Sequence, residues 1–450
     1  MTSKYLFWTS VLIMNLLLFS SCLGSSNEGE LEYSPDAQIY SFSISSKADT
    51  LNLLRTTEFT IDQVNGKIFN KKPLPYQFHV DSVILNIRGA STLNAFSNVS
   101  IQLIPDSTFT WSQSDSIEVS KLYRIITTAP DGDNKKTYQF QLYTYQQDPY
   151  ILSWEKISDG YLPQSVSQQK TIEFNNRFIT YYIANGAVNA TSSAVSDGVN
   201  WTTAALSGLP PAIQLSSITV TENVLFATDD DNKLFSSSDG YSWMQVNTDY
   251  PIVAIYGILP SATNDILVMV DDSGTLKLAK TDDFASLQLM EINSSSSPSD
   301  LPVKNFSATK IESATSYTIR YITIAGGNKT DESNNNDIWI LQERNTEISV
   351  LKSKKSETVS IDGSSIFFYD EKPYILTASS GKNSLLYSDN FGLEWKAAEE
   401  NQALPATFNF RKNASVLTDN DNIWIFGGIS QAQTQISDVW KGRLNKFDLN

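Results

Sequence analysis

The chain has 450 residues, a formal net charge of -16, 41% hydrophobic residues and 11% aromatics, with one cysteine and one histidine. That length exceeds a single ordinary core and points to two domains. The acidic balance, without a Lys/Arg-rich run to offset it, excludes nucleic acid as a partner. Single Cys and His residues exclude an intramolecular disulfide, thiolate metal clusters and zinc sites built from several imidazoles.

Lys4 precedes the apolar stretch Tyr5–Phe19, which is too short for a membrane-spanning helix of roughly 20 residues. Ser20 and Ser21 then lead into Cys22, the only cysteine of the chain. Residues 1–21 therefore read as a lipoprotein signal peptide, with Cys22 lipidated and residues 22–35 as a small, polar, acidic tether. The partner this implies is the membrane, reached through the lipid anchor.

Residues 36–148 alternate short apolar runs with turn signals, among them Asn65-Gly66 and Asp131-Gly132. About seven short strands over such a length predict an immunoglobulin-like β-sandwich. His79 reads as a solvent-facing strand residue.

Residues 149–450 carry repeats. "SDGVNW" (Ser196–Trp201), "SDGYSW" (Ser238–Trp243) and "SDNFGLEW" (Ser388–Trp395) resemble Asp boxes, in which Asp197, Asp239 and Asp389 would bond backbone amides of a tight turn and Trp201, Trp243 and Trp395 would open the following strand. Those aspartates are structural on this reading. Gly326-Gly327 with Trp339, and Gly427-Gly428 with Trp440, share one spacing and resemble kelch blades. Prolines follow Trp154, Trp201, Trp243 and Trp395 at Pro163, Pro210, Pro251 and Pro405, where the chain would cross between sheets. Outer strands then fall at Trp154, Trp201, Trp243, near Leu289, near Val350 and at Trp395, at steps of about 42 to 47 residues with one of about 61. Four-stranded propeller blades repeat at roughly 40 to 50 residues. The sixth blade reaches only its third strand, at Trp440, before the sequence stops. Residues 150–158, a Trp-bearing strand with no blade before it, would supply the fourth. The expected fold is all-β: an immunoglobulin-like β-sandwich followed by a six-bladed β-propeller closed by an N-terminal strand.

The segments "FTIDQVNGKIFN", "LPYQFHVDSV" and "TTAPDGDNKKTYQFQLYTYQQDP", with the "GG…DVWKGRLNK" ending, resemble a family of Gram-negative surface lipoproteins whose defining region has no assigned function. The resemblance implies a lipid-anchored protein of the outer membrane, exposed at the cell surface, and brings no catalytic residues with it.

Arg177, Arg320, Arg344, Arg411 and Arg443 are the arginines a sialidase-like site would draw on, but none stands before a first Asp box in the sialidase manner. Copper-oxidase chemistry lacks ligands in this region. "TDDDN" (Thr228–Asn232) and "TDNDN" (Thr418–Asn422) are oxygen-rich but explained by turns, so neither a metal nor another cofactor is expected. The expectation is a non-enzymatic binding protein that takes glycan or an outer-membrane protein on the face carrying the loops from strand four to one and from two to three. Aromatic candidates there are Tyr161, Tyr250, Phe408 and Phe410, with the polar loops after the two glycine pairs.

Overall fold

The computed structural model describes residues 33–90, 95–162, 166–260, 265–344, 346–419 and 421–448. The signal peptide, Cys22, most of the tether and Pro163 lie outside the described residues. The chain divides into two compact units, at Asp148 and Pro149.

In the first unit, strands Ser41–Ser45, Ser82–Arg88 and Ser116–Glu118 form one sheet, with the 82–88 strand central. The other sheet runs in the order Phe59–Asp62, Lys67–Asn70, Lys135–Gln141, Leu122–Thr128, Asn98–Leu103, Ser107–Thr110. Alternate residues of both sheets, including Phe42, Ile44, Leu85, Ile68, Ile101, Ile125 and Tyr138, meet in one core. The Asn65-Gly66 hairpin forms as read: Asp62 Oδ1 accepts the amides of Val64 and Asn65, and Gly66 adopts φ +61°. Its second strand then runs parallel to Lys135–Gln141. Two strands carry little signal in the sequence. Ser107–Thr110 is a polar edge strand, and Ser116–Glu118 buries only Ile117, so neither shows an apolar alternation. His79 is exposed as expected but precedes the strand, which starts at Ser82; its Nε2 lies 3.0 Å from Asp81 Oδ1.

The second unit is a β-propeller. Its strands pair in antiparallel four-stranded runs: 166–174, 177–184, 187–194 and 202–204; 219–220, 225–228, 234–237 and 244–246; 252–258, 266–272, 275–281 and 288–292; 307–312, 320–325, 338–344 and 347–352; 365–369, 372–379, 382–387 and 396–397. In a further sheet, Leu152–Ser158 pairs with Val439–Leu444, followed by Asn422–Phe426 and Ser415–Thr418. The register there places Leu152 opposite Leu444 and Trp154 opposite Gly442. The outer strands of the third and fourth runs also touch, in parallel, at Glu291–Glu347 and Ile292–Ile348.

Position within a run explains composition. Second strands such as Leu225–Thr228 and Ile266–Val270 are buried throughout, because neighbouring sheets cover both their faces. Outer strands such as Met244–Val246 and Lys396–Ala397 are short and exposed. Inner strands of adjacent sheets are fastened by hydroxyls at matching positions: Ser307 Oγ accepts the Ile366 amide at 3.0 Å, and Ser415 Oγ accepts the Thr171 amide at 2.9 Å.

The turn aspartates behave unequally. Asp197 and Asp239 accept amides of their own turns, those of Val199 and Asn200 and of Tyr241 and Ser242. Asp389 does not. Its carboxylate pairs with Lys372 and Lys396, and the neighbouring Asn390 accepts the Glu394 amide instead. Ser388 Oγ holds the Gly392 amide as Ser237 Oγ holds that of Gly240, so the turn's acceptor lies two residues after that serine, at Asn390 and Asp239 respectively. Trp243 and Trp395 are buried between sheets, and Trp201 rests against Tyr161.

Candidate ligand-binding channel

The first strand of each run faces a common channel of about 570 Å³. Its lining includes Lys170–Glu173, Thr219, Ile255–Ile258, Ser307–Lys310, Ile366–Phe368 and Ser415–Thr418. A smaller cavity of about 110 Å³ forms a mouth at one end, where Gln168, Asn305, Ser364, Asn413, Ile429 and Gln435 gather. These residues stand at the starts of first strands and in the loop after Gly427-Gly428. Lys170, Ser216, Phe306, Ser307 and Ala414 line both spaces and form the neck between them.

Local structure places them. The two glycine pairs build matching loops. The Asn328 amide donates to Lys304 O and the Ile429 amide to Lys412 O, while Gly327 O and Gly428 O accept the amides of Asn335 and Ile436. Gly327 and Gly428 sit at φ +86° and +109°, and a Cβ there would come within 2.6 Å of Lys304 O and 2.8 Å of Lys412 O. Only glycine allows that approach. The loops thereby tie the segments before Phe306 and Ala414 to the mouth. Gln169 closes the seam on the other side, its Nε2 donating to Gln435 Oε1 at 2.9 Å and Ile436 O at 2.7 Å.

The neck is polar but sparsely bonded. The Lys170 ammonium has neither a hydrogen bond nor an ion pair among the described residues, and burial lowers its pKa. The Ser216 hydroxyl likewise makes no hydrogen bond among the described residues. Further along, Glu173 is pushed up by burial, with Asp419 adding to the shift. Lys310, the other cation of the lining, lies 3.5 Å from Glu312.

The aromatics expected at this face serve elsewhere. Tyr161 is buried, its hydroxyl donating to Gln169 Oε1 at 3.0 Å and its ring 4.6 Å from that of Trp201; burial drives its pKa far up. It is a core residue, held between the Leu152–Ser158 strand and the first run. Tyr250 packs half-buried on the Phe226 and Ile252 cluster. Phe408 lies between Trp440 and the Arg411 guanidinium, 5.3 and 4.2 Å away. Phe410 is half-buried. None of the four lines the channel or its mouth. Tyr256, Phe367 and Phe368 line the channel, and Phe306 lines both channel and mouth, which makes it the aromatic of the neck. The signal for it was the shared glycine-pair spacing, which aligns Lys304-Asn305-Phe306 with Lys412-Asn413-Ala414.

The five arginines go to five different partners. Arg177 bonds Ser192, Arg320 pairs with Glu312, Arg344 bonds Gln342, Arg443 pairs with Asp421, and Arg411 is buried against Asp438. The two oxygen-rich loops are turns: Asp229 Oδ1 accepts the amides of Asp231 and Lys233, and Asp419 Oδ1 those of Asp421 and Asn422.

A two-sheet β unit followed by a β-propeller with a polar channel defines the class of protein. The chain belongs to the DUF6242 family: residues 148–450 match its beta propeller domain and residues 39–142 its N-terminal domain of unknown function. No curated protein matches the chain. Among solved structures it is similar to one titled "Structure of YjhT", at 10% identity and a TM-score of 0.43, over 62% of this chain and 94% of that one.

Proposed function

We propose that the protein is a non-catalytic binding module that takes its ligand through the amide-lined mouth into the channel, and that the ligand is a glycan. The observation that carries this reading is the neck, where hydroxyls, an aromatic ring and an unpaired ammonium line a space within the usual range for small-ligand sites. The dispersal of the five arginines weighs against the alternative, sialidase-like hydrolysis, which needs three converging on one carboxylate. A protein-interaction scaffold at the same face is the remaining alternative. The first unit is read as immunoglobulin-like because the order 41–45, 82–88, 116–118 opposes 135–141, 122–128, 98–103 in two packed sheets. The propeller is read as six-bladed, with residues 152–158 completing the last blade, its turns Asp-box-like and its glycine-pair loops kelch-like. The pairing of that strand with Val439–Leu444 supports closure.

Residues 1–22 complete the proposal: a signal peptide is removed and lipidated Cys22 anchors the protein to the outer membrane, facing the cell exterior. Cys22→Ala is expected to abolish fatty-acid labelling and membrane fractionation; unchanged labelling removes the anchor. A glycan array probed with the purified full chain tests the ligand. Bound glycans support the module. Turnover of a glycoside, abolished by a single carboxylate substitution, overturns it in favour of an enzyme. A saturable protein partner with no glycan bound transfers the face to a scaffold role.

A further inference from the structure

We infer that the neck of the channel binds the carboxylate of an acidic monosaccharide, a uronic acid, with the Lys170 ammonium as its counter-ion. The inference rests on the glycan reading above and names the class of sugar. Three observations carry it.

The first is charge. Lys170 lines both the mouth and the channel, on the innermost strand Val166–Phe174. Lys170 is half-buried, so its ammonium is partly withdrawn from bulk water without a partner, and proteins normally pair or hydrogen-bond such a group. Here the protein has carboxylates in excess, 49 Asp and Glu against 33 Lys and Arg, yet none is offered to Lys170 among the described residues. The only carboxylate in the lining, Glu173, belongs to the opposite face of its strand: Glu173 alternates with Thr171, whose amide is held by Ser415, whereas Lys170 alternates with Ile172 in the core shared with Leu215 and Ile218. Lys310 has its own partner in Glu312. An anion entering the neck meets one uncompensated positive charge.

The second is the company Lys170 keeps. Ser216, Ser307 and Phe306 share the neck. Ser307 Oγ is committed as acceptor to the Ile366 amide, whereas Ser216 is uncommitted among the described residues. A free hydroxyl and a half-buried aromatic ring beside a cation match the hydroxyls, the C–H face and the carboxylate of one uronic acid.

The third is space. The channel of about 570 Å³ admits a single sugar ring, and the mouth brings Gln168, Asn305 and Asn413, all exposed, to where a following residue would emerge.

Calorimetric titration of the full chain with galacturonate, glucuronate and neutral galactose tests the inference, on the wild type and on Lys170→Met and Lys170→Arg. The expected result is binding of at least one uronate, weakened on the order of tenfold or more in Lys170→Met and largely kept in Lys170→Arg. Galactose binds weakly and equally to all three. Without ligand, Lys170→Met melts at or above the wild-type temperature, because it removes an unpaired charge. Equal uronate affinity in Lys170→Met, no uronate binding at millimolar concentration, or a lowered melting temperature in that variant overturns the assignment. In those cases, neutral glycans still captured on the array leave the binding module standing, while an empty array removes both.

Discussion

Arg411 is the largest fully buried side chain among the described residues. Its guanidinium grips Asp438 bidentately, Nη1 to Oδ1 at 2.5 Å and Nη2 to Oδ2 at 3.1 Å, with side-chain exposures of 0% and 6%. Nη1 also donates to Gly427 O and Nε to Asn409 O. Asp438 Oδ2 in turn accepts the indole N–H of Trp440. Replacing Asp438 by Ala strands a desolvated cation and leaves an indole donor unsatisfied. Losing one partner of a buried pair costs about 3–5 kcal/mol, and the lost indole bond adds roughly 1 kcal/mol. At about 2–4 °C per kcal/mol for a large domain, the propeller transition falls by roughly 10 °C or more. Lys156 Nζ, 3.9 Å from Asp438 Oδ2, is a cation and cannot take over the role. The double variant Arg411→Met, Asp438→Leu should recover most of the loss, since apolar replacements of both partners are often neutral or stabilising. Differential scanning calorimetry on the full chain reads both. A drop below about 2 °C in Asp438→Ala, or a double variant no better than the single, would show that water reaches this pair.

Three further outcomes follow from particular contacts. Trp154 packs its ring over Gly442, where a Cβ would lie 2.6 Å from Cζ3, so Gly442→Ala should destabilise by about 1–3 kcal/mol; a milder effect in the Trp154→Ala background would locate the clash at this strand pair, and equal effects in both would deny it. Gly428→Ala, at φ +109° and against Lys412 O, should cost about 1–3 kcal/mol in chemical denaturation and disturb the mouth, whereas Gly381→Ala, also at positive φ but meeting only Gln431 Oε1 at 3.9 Å, should cost less; equal costs would mean that backbone strain alone matters. The Ser242 and Tyr241 amides hold the Asp239 carboxyl down to about 2. Because that lies below the unfolded value of about 3.9, its contribution is complete above pH 4 and fades as pH falls toward 2. Melting curves of Asp239→Ala should therefore converge on those of the wild type across that interval, and a gap that stays constant would assign the effect to packing.

The sequence by itself determined the all-β character, the division near residue 148 and the places of the outer strands. The physical reason is that those features are local. Gly, Asn and Asp mark turns through their own backbone preferences, and a strand covered on both faces must be apolar throughout, as Ile266–Val270 is. The shared spacing of Gly327 to Trp339 and Gly428 to Trp440 carried two whole loops, because each needs a left-handed residue at a close backbone approach. What the tertiary structure decided is which polar and aromatic groups are spent in the interior. Asp389 and Asn390 are neighbours in a turn, and only the geometry assigns one to lysines and the other to an amide. Tyr161 and Phe408 have the composition of a binding face, yet Tyr161 is buried in a core and Phe408 packs half-buried against one. Arg411 is as much an arginine as Arg320, yet one is enclosed and the other paired at the surface. Lys170, in an otherwise polar stretch, carries no mark of its own in the sequence. Its unpaired place at the channel neck arises because strands distant in the chain converge there, and burial and pairing are properties of that convergence rather than of any local pattern.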